Sequence, residues 1–376
     1  MVAGERHVHI GERALGPGEP LFFIAEVGLN HNQDLDLARA LIDAAADAGC
    51  SAAKFQTFRA DDVYVGGDKA GEYRLMGRDI PIMELHRSLE MSAEWAHELA
   101  RHCALRGVEF FSAPIGREAI GLLVEAGAPA LKVSSYELTN VPFLVDVAEA
   151  GLPVVLSTGA AALAEVERAV ETLRAGGAPV ALMHCVTQYP APYAAANLAA
   201  MDTLRAAFDA PTGFSDNGFA DAQGAIDANR VPEAAAMRGA DLFEVHITLD
   251  RALPGPDHGF ATEPNELAAM VTRANAIRER YNAGERFEVD TELVGSPRKR
   301  TQDGERYVRD FAFKCLFAVR DIAAGEPLTS DNVRCLRPGA SSRGIEPSSY
   351  ADVVGRAVAR RPLAAWEPVT WDWLLA

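Results

Sequence analysis

The chain has 376 residues, of which 49% are hydrophobic and 24% charged, a composition typical of a globular protein with room for one large domain and a small one. Its formal net charge of −17 argues against nucleic-acid binding. No apolar run approaches the roughly 18 residues of a membrane helix, and neither an export signal nor a disulfide or zinc pattern stands out, so we expect a cytoplasmic protein with no membrane partner.

Eight short apolar runs rich in β-forming residues predict strands along most of the chain. They cover residues 22–28, 52–58, 109–115, 130–135, 153–159, 180–186, 211–216 and 242–249. Most are separated by segments with apolar residues at helical spacing, such as 35–50. Repeated strand–helix units predict an α/β fold in which a (β/α)8 TIM barrel fills residues 1–282. The wider gap at 59–108 must hold an added loop or hairpin.

The composition and the pattern of apolar residues change after the predicted barrel. Residues 283–310 are polar and charged, which predicts a linker. Residues 311–376 combine short β-like pieces with Gly and Pro turns and predict a small, mostly β domain. A core of this size is marginal by itself, so we expect the small domain to dock on another surface.

The predicted strand ends, where barrel enzymes place their active sites, are unusually polar. Lys54 and Lys132 emerge from nearly apolar strands, and burying an unpaired ammonium group is costly. Each could pair with a carboxylate such as Glu26 or Glu137. Alternatively, both converge on a substrate phosphate or carboxylate, and nearby serine hydroxyls complete the anion site. Spacing alone also permits a Schiff-base aldolase, in which one lysine has a lowered pKa.

A histidine on the last predicted strand, His246, lies near the barrel rim, with Asp257 and His258 in the loop that follows. A lone histidine on a strand is often structural, but this position favours a role in the site. The Asn-His-Asn triplet at 30–32 follows the first strand. There, turn formation and helix capping compete with a substrate contact.

Several long motifs resemble those of the sialic acid synthases, the N-acetylneuraminate, legionaminate and pseudaminate synthases. They are "FIAEVGLNHNQDLDLARALIDAAADAGCSAAKFQTF", "LKVSSYELTNVPFL", "MHCVTQYPAPYAAANLAAM", "HITLDRALPGPDHG" and a late "RPG", in that order. The resemblance implies a TIM barrel followed by a small antifreeze-like (SAF, β-clip) domain. It also implies a domain-swapped homodimer, in which each small domain covers the partner's barrel mouth. The implied reaction condenses phosphoenolpyruvate with an aldehyde sugar such as N-acetylmannosamine, aided by Mn²⁺ or Mg²⁺.

The resemblance also implies roles for individual residues. Glu26, Lys54, Lys132 and Glu137 match the catalytic positions, with both lysines holding phosphoenolpyruvate. The implied substrate-binding residues are Gln56, Ser135, Ser157, Thr187, Tyr189, Ser215, Asp257 and Arg337, the last of which belongs to the small domain. His246 and Asn217 stand at the two metal-ligand positions.

The chain departs from the usual family pattern around this rim. Asn217 replaces a metal-binding histidine, Ala113 a threonine, Thr187 an asparagine and Val245 a lysine, and the segment at 218–235 is longer than usual. Three interpretations compete. The Asn217 oxygen still binds a hard cation, Asp216 or a water takes its place, or the metal is lost and the reaction differs. Capping of the next helix by Asn217 is compatible with the third. The changes together suggest an altered acceptor.

Two other classes of function stay open at this point. A Schiff-base aldolase or lyase would use one of the lysines covalently. A non-catalytic, sugar-binding descendant of a synthase would use the small domain for recognition, although sugar binding alone needs no pair of cations.

Overall fold

The structure, a computed structural model, describes residues 6–75 and 77–374. Eight parallel strands close into a barrel in which consecutive strands are neighbours and the last pairs with the first, as predicted. In chain order they are β1 Phe22–Gly28, β2 Ala52–Phe58, β3 Glu109–Ile115, β4 Leu131–Val133, β5 Val154–Ser157, β6 Val180–Cys185, β7 Thr212–Asp216 and β8 Leu242–His246. β4 is shorter than predicted because the chain turns into a 3-10 helix at Ser135–Glu137.

Helices follow the strands and form the outer layer of the barrel. They are Leu35–Asp47, Ala93–Arg106, Arg117–Glu125, Val141–Glu149, Leu163–Ala175, Ala199–Phe208, Arg230–Met237 and Pro264–Asn282. The first shows why they form. Asp34 caps it by accepting hydrogen bonds from the backbone N–H groups of Asp36 and Leu37, and its buried residues recur at helical spacing and face the strands.

The interior of the barrel changes from apolar to polar toward the carboxyl ends of the strands. Side chains two positions apart point the same way in a strand. Leu242 therefore lies in the apolar lower layer, while Glu244 and His246 occupy higher positions on the same face of β8. Ala130, immediately before β4, and Lys132, on β4, show the same order from apolar to charged. The two-residue alternation of side-chain direction along each strand thus places the charged side chains inside the barrel, at the end where the strands finish.

The opposite end of the barrel is closed by an N-terminal hairpin, Val8–Ile10 paired with Arg13–Leu15. Its apolar side chains join the lower layer of the barrel interior. Arg278, on the last barrel helix, holds this closure. Its guanidinium donates to the Gly16 and Glu19 carbonyl oxygens and to Asp241 Oδ1 at 2.8 Å, and its side chain is only 2% exposed.

The long segment between β2 and β3 contains the predicted hairpin, Glu72–Leu75 paired with Arg78–Pro81, between the short helices Ala60–Val63 and Ile82–Arg87. We call residues 59–92 the insertion. It stands beside the barrel mouth. Farther along, a short strand pair, Ala191–Pro192 with Phe219–Ala220, lies within the loops after β6 and β7.

Residues 283–312, which we call the connecting segment, lie along the outside of the barrel and contain the helices Thr291–Val294 and Arg306–Ala312. The small domain follows, with the antiparallel strands Cys315–Ala318 and Val333–Leu336 and the short helix Tyr350–Val353. Its own core includes Leu316 and Ala318. No helix within 6–75 and 77–374 is long and apolar enough to cross a membrane.

Replacing Arg278 should destabilise the fold. In Arg278→Met the Asp241 carboxylate stays buried without its cation, and removing one partner of a buried ion pair typically costs about 3–5 kcal/mol. Urea unfolding followed by circular dichroism measures the loss. Arg280→Met, whose partner Glu285 is largely exposed, is the control on the same helix and should change stability little. Unfolding curves for Arg278→Met that overlie those of the wild type would contradict this role.

Candidate active site

Two lysines and two glutamates form one connected network at the barrel mouth. Lys54 Nζ lies 2.6 Å from Glu26 Oε2 and 3.8 Å from Glu244 Oε2, and Lys132 Nζ lies 3.3 Å from Glu244 Oε1. All four side chains are at most 6% exposed. Gln56 donates to Glu26 Oε1 at 3.1 Å. The ion-pair interpretation therefore holds for Lys54 and Glu26, while Lys132 pairs with Glu244 and not with Glu137.

Burial and charge shift the pKa values within this network in different directions. Burial raises the pKa of Glu26 despite the neighbouring Lys54. Burial would also raise the pKa of Glu244, but the two ammonium groups together lower it. The pKa of Lys132 is lowered by burial, whereas the two carboxylates outweigh burial at Lys54 and raise its pKa. Glu26 is thus the carboxylate that accepts a proton most readily, and Glu244 stays ionised between the lysines.

Serine hydroxyls surround the two lysines. Ser215 donates to Glu244 Oε1 at 3.0 Å. Ser135 accepts from the Gly159 backbone N–H at 2.9 Å and lies next to Cys185. The Ser134 and Ser157 hydroxyl oxygens are buried and have no hydrogen-bond partner among the described residues. Buried polar atoms normally have partners, so these two hydroxyls are suited to a ligand oxygen.

The small domain supplies two cations to the same mouth. Lys314 Nζ lies 3.1 Å from Glu137 Oε1, with both side chains at most 3% exposed. Arg337 stacks over the rings of Tyr136, at 4.8 Å, and Tyr64, at 5.5 Å. The structure thus brings Glu137 and Arg337 to one side of the mouth, next to the small domain.

Two of the predicted substrate-binding residues on the β6 side are engaged by protein groups. The Thr187 hydroxyl and backbone N–H both donate to Glu305 Oε1, at 3.1 and 3.0 Å. The Tyr189 hydroxyl lies 3.0 Å from that of Tyr136, and its ring packs on His246 and Phe260. Tyr189 keeps 42% of its surface exposed, so it marks the open side of the mouth.

His246 and Asn217 both lie at the mouth and are buried. The His246 Nδ1 atom has no hydrogen-bond partner within the described ranges, and burial lowers the pKa of this imidazole. Asn217 donates its amide Nδ2 to the Val186 carbonyl oxygen at 2.9 Å, so its amide oxygen is not used in that contact. Burial raises the pKa of Asp257, and the His246 charge opposes this shift. Burial also raises the pKa of Asp216 to about 7.

These groups fit a divalent cation only in part. A neutral imidazole with an unpartnered nitrogen can bind a metal ion, and an amide oxygen suits a hard cation. However, the described part of the chain contains no group of three or more His, Cys, Asp and Glu side chains that could hold a metal ion. A cation here would therefore need ligand atoms from substrate or water.

The Asn-His-Asn loop after β1 is held by protein contacts. Asn30 donates to the Ile247 carbonyl oxygen and Asn32 to that of Pro254, while Asp34 caps the following helix. Capping by Asp34 is confirmed. Asn30 Oδ1 and His31 Nε2 are buried without a hydrogen-bond partner among the described residues, so a substrate contact by this loop stays a prediction.

Comparison with known proteins places the chain in a family. A family model described as the NeuB family matches residues 41–286, and a SAF domain model matches residues 313–375. The chain belongs to the NeuB family.

Several named relatives align with nearly the whole chain. The spore coat polysaccharide biosynthesis protein SpsE of Bacillus subtilis is 38% identical over 97% of this chain and 96% of its own. A crystal structure of SpsE matches with a TM-score of 0.86 at 36% identity, covering 98% of this chain and 99% of that one. The N,N'-diacetyllegionaminic acid synthase of Legionella pneumophila is 34% identical over 96% of this chain and 97% of its own.

The sequence analysis missed three charged residues that contact the predicted site residues, namely Glu244, Lys314 and Glu305. Glu244 could have been found, because it lies two positions before His246 on a strand and so faces the same way. Lys314 and Glu305 carried no such signal, since each contacts a partner far away in the sequence.

His31 should make the stability of the protein depend on pH. Its side chain is fully buried, its Nδ1 accepts from the Gln33 backbone N–H, and burial lowers its pKa to about 4. The folded state therefore prefers the neutral ring. The contribution of His31 to the free energy of unfolding is complete above pH 6.5 and is lost as the pH falls toward 4. Between pH 8 and pH 4 the wild type should lose roughly 3 kcal/mol more stability than His31→Phe.

Urea unfolding at both pH values measures that difference. The comparison at pH 8, where the wild-type ring is neutral, is the internal control for the packing change. Parallel pH profiles of the two proteins would contradict the assignment.

Proposed function

We propose that this protein is a phosphoenolpyruvate-dependent synthase, which condenses phosphoenolpyruvate with an aldehyde sugar to a 2-keto-3-deoxy acid of the nonulosonic type and releases phosphate. The observation that carries the proposal is the pair of buried lysines, Lys54 and Lys132, both bound to Glu244 in one mouth. The named synthase relatives support the same reaction class, since proteins called legionaminic and pseudaminic acid synthases match nearly the whole chain.

The ion pairs in the mouth are compatible with anion binding. Two ammonium groups and two carboxylates balance one another, so the network alone attracts no anion strongly. Glu26, whose pKa burial raises, can take up a proton when an anion arrives. Lys54 then exchanges its bond to Glu26 for one to the ligand, while Glu244 keeps both lysines in place. Ser134 and Ser157 offer hydroxyl donors next to the incoming oxygens.

The proposed reaction forms one carbon–carbon bond and one bond between C2 and the oxygen of water, and it breaks the bond between C2 and the bridging phosphate oxygen. C3 of phosphoenolpyruvate attacks the aldehyde carbon, and the aldehyde oxygen takes a proton to become a hydroxyl. Water adds at C2, and phosphate leaves with its bridging oxygen as the keto group forms. Glu137 is the candidate for proton transfer at the acceptor side, a role supported by the contacts of Lys314 and Asn140 that fix its carboxylate. Asp257 and Arg337 are the candidate contacts to the sugar.

A divalent cation, Mn²⁺ or Mg²⁺, would be held by His246 Nδ1 and the Asn217 amide oxygen, with the remaining ligands from substrate and water. When bound, such an ion supplies polarisation of the aldehyde carbonyl. The chain's own residues orient these ligands, because Val186 fixes the Asn217 amide and the rings of Tyr189 and Phe260 hold that of His246.

The acceptor is either N-acetylmannosamine or a modified aldehyde sugar. Thr187, which stands where the resemblance expects asparagine, gives its hydroxyl to Glu305. Val245 and Ala113 are apolar where it expects lysine and threonine. These three positions present fewer polar groups to a substrate, which favours an altered acceptor. Phosphate release from phosphoenolpyruvate, measured against a panel of aldehyde sugars, tests both the reaction class and the acceptor.

One observation favours a second candidate, a Schiff-base aldolase. Burial lowers the pKa of Lys132, and a neutral lysine is the nucleophile that such an enzyme needs. Borohydride reduction in the presence of pyruvate would trap a covalent adduct on Lys132. The synthase leaves no adduct, so the two functions are distinguished directly.

Removal of either lysine charge should strongly weaken phosphoenolpyruvate binding. Lys132→Met leaves the Glu244 carboxylate without one of its cations and facing the ligand, so affinity and kcat/KM should both fall by at least about 100-fold. Calorimetry and phosphate release measure the two losses.

The Lys132→Met/Glu244→Gln variant separates binding from folding. It restores the charge balance and should fold, yet still bind weakly. Arg101→Gln, on the outer face of a barrel helix, should behave like the wild type. Wild-type affinity in Lys132→Met would contradict the proposal.

A cation held by His246 and Asn217 should bind weakly and depend on both residues. His246→Ala should remove calorimetric Mn²⁺ binding in the presence of phosphoenolpyruvate. Asn217→His adds a second imidazole and should tighten it roughly tenfold or more, with a shift toward softer metals.

Phosphate release should stop with EDTA and return with Mn²⁺. Release that continues in EDTA, together with an absence of Mn²⁺ binding by wild type and Asn217→His alike, would show that no cation takes part.

A further inference from the structure

We infer that a cavity beside the ends of β7 and β8 binds a monovalent cation of about the size of water, such as K⁺ or NH₄⁺, through the carboxylate of Asp216. The cavity lies between these strand ends, the last barrel helix and the segment after β7. None of the four charged residues of the lysine network lines it. The inference goes beyond the proposed function and does not rest on it.

The alternation of side chains along β7 directs Asp216 into this cavity. Ser215, one residue earlier, donates to Glu244 inside the barrel. Because successive side chains of a strand point to opposite faces, Asp216 points away from the barrel interior. It lines the cavity together with Val245, its register partner on β8. Asp216 therefore faces a different compartment from the one that holds the two lysines.

Asp216 is a buried carboxylate without a cation. Its residue surface is only 6% exposed, and its Oδ1 atom accepts from the Gly218 backbone N–H at 2.7 Å. Among the described residues, no group donates to its Oδ2 atom, and no lysine, arginine or histidine offsets its charge. A buried charge without compensation is costly, so this oxygen is suited to a cationic ligand.

A second oxygen and two aromatic rings complete the walls. Thr262 lines the cavity and is only 4% exposed, and its hydroxyl makes no hydrogen bond within the described part of the chain. Phe219 and Phe260 supply aromatic walls, which tolerate a cation better than aliphatic ones. The space open to the centre of a water-sized particle is about 10 Å³, which is about what one such occupant needs.

Two departures from the family pattern meet in this cavity. Val245 stands where the resemblance expects a lysine, and its register position beside Asp216 would bring that lysine onto the same face as the carboxylate. The longer segment at 218–235 adds an outer wall through Ile226, Asp227 and Ala228. The chain thus keeps the carboxylate, lacks the lysine and encloses the space between them, so a bound cation would supply the missing charge.

The added wall is held in place by its own contacts. The Tyr193 hydroxyl accepts from the Asp227 backbone N–H at 2.8 Å. Arg230 stacks over the Tyr193 ring at 4.2 Å and pairs with Asp290 and Glu292, each at 2.6 Å. The charge of Arg230 is therefore already taken up on the outside of the segment, and the carboxylate of Asp216 is left to a ligand.

The donor set fits a monovalent cation better than a divalent one. One carboxylate balances one positive charge, whereas Ca²⁺ and Mg²⁺ take six or more oxygen ligands and usually more than one carboxylate. The described residues contain no group of three or more His, Cys, Asp and Glu side chains that could hold a metal ion. K⁺ and NH₄⁺ carry a single charge and are similar in size to water, so both match the cavity.

Urea unfolding in different salts tests the site. The wild type is unfolded in EDTA at pH 8.5, above the Asp216 pKa of about 7, with KCl, NH₄Cl or choline chloride at equal ionic strength. A ligand that binds only the folded state stabilises it in proportion to the logarithm of its concentration. The unfolding midpoint should therefore rise with K⁺ or NH₄⁺ and not with choline, which is too large. Equal midpoints in all three salts would overturn the inference.

Three variants assign the effect to this cavity. Val245→Lys supplies an ammonium group beside Asp216, so in choline chloride it should be at least as stable as the wild type in KCl and should not respond to K⁺. Val245→Met has a similar length without the charge, so it should lose the K⁺ response without gaining that stability. Asp216→Asn should also lose the response.

An undiminished K⁺ response in Val245→Lys or Asp216→Asn would place the stabilising ion elsewhere and overturn the inference. If Asp216→Asn does not fold, Val245→Lys alone carries this comparison. Crystals grown with Tl⁺, which replaces K⁺ and scatters anomalously, should show a peak beside Asp216 in the wild type and none there in Val245→Lys. A water at this position in the wild type, with no anomalous peak, would overturn the inference as well.

Discussion

The carboxylate of Glu244, placed between two buried ammonium groups, is the interaction on which the rest of the site depends. Without it, Lys54 and Lys132 would repel each other in a region almost free of water, and one of them would lose its proton or turn away. With it, both cations point into one mouth at neutral pH. The arrangement costs stability in desolvation and yields a charge-balanced network, in which the proposed anion gains access to Lys54 by displacing Glu26.

The fold followed from the sequence because its signals are local. Each apolar strand such as Ala52–Phe58 and each capped helix such as Leu35–Asp47 shows its period within a few residues, and repetition of the unit leaves few topologies other than a barrel. The lysine pair was visible for the same reason: an ammonium group in an apolar strand stands out. The N-terminal hairpin was not predicted, because three-residue strands carry too little pattern.

The partners of the charged groups were harder to predict. Lys54 with Glu26 was one of the expected pairs, but Glu137 turned out to be bound to Lys314, a residue of another domain. Sequence distance hides such contacts, because nothing near Lys314 indicates which surface the small domain covers. The same holds for Thr187, whose hydroxyl Glu305 occupies. The roles of Asn217 and His246 toward a cation, and the identity of the acceptor, stay predictions for the same physical reason: both depend on atoms that the chain does not itself contain.

The strand Cys315–Ala318 packs against the insertion through Cys315 and Phe317 and against the core of the small domain through Leu316 and Ala318. This packing has a consequence for how the chain folds during synthesis. Synthesis proceeds from the N-terminus, and barrel elements can begin to fold as they emerge. The insertion, however, keeps an uncovered apolar face until the last sixth of the chain has left the ribosome. A nascent or truncated chain therefore exposes an apolar patch, and its Glu137 carboxylate lacks the Lys314 cation. Chaperone dependence and premature termination should affect this protein more than a barrel that needs no C-terminal domain to cover it.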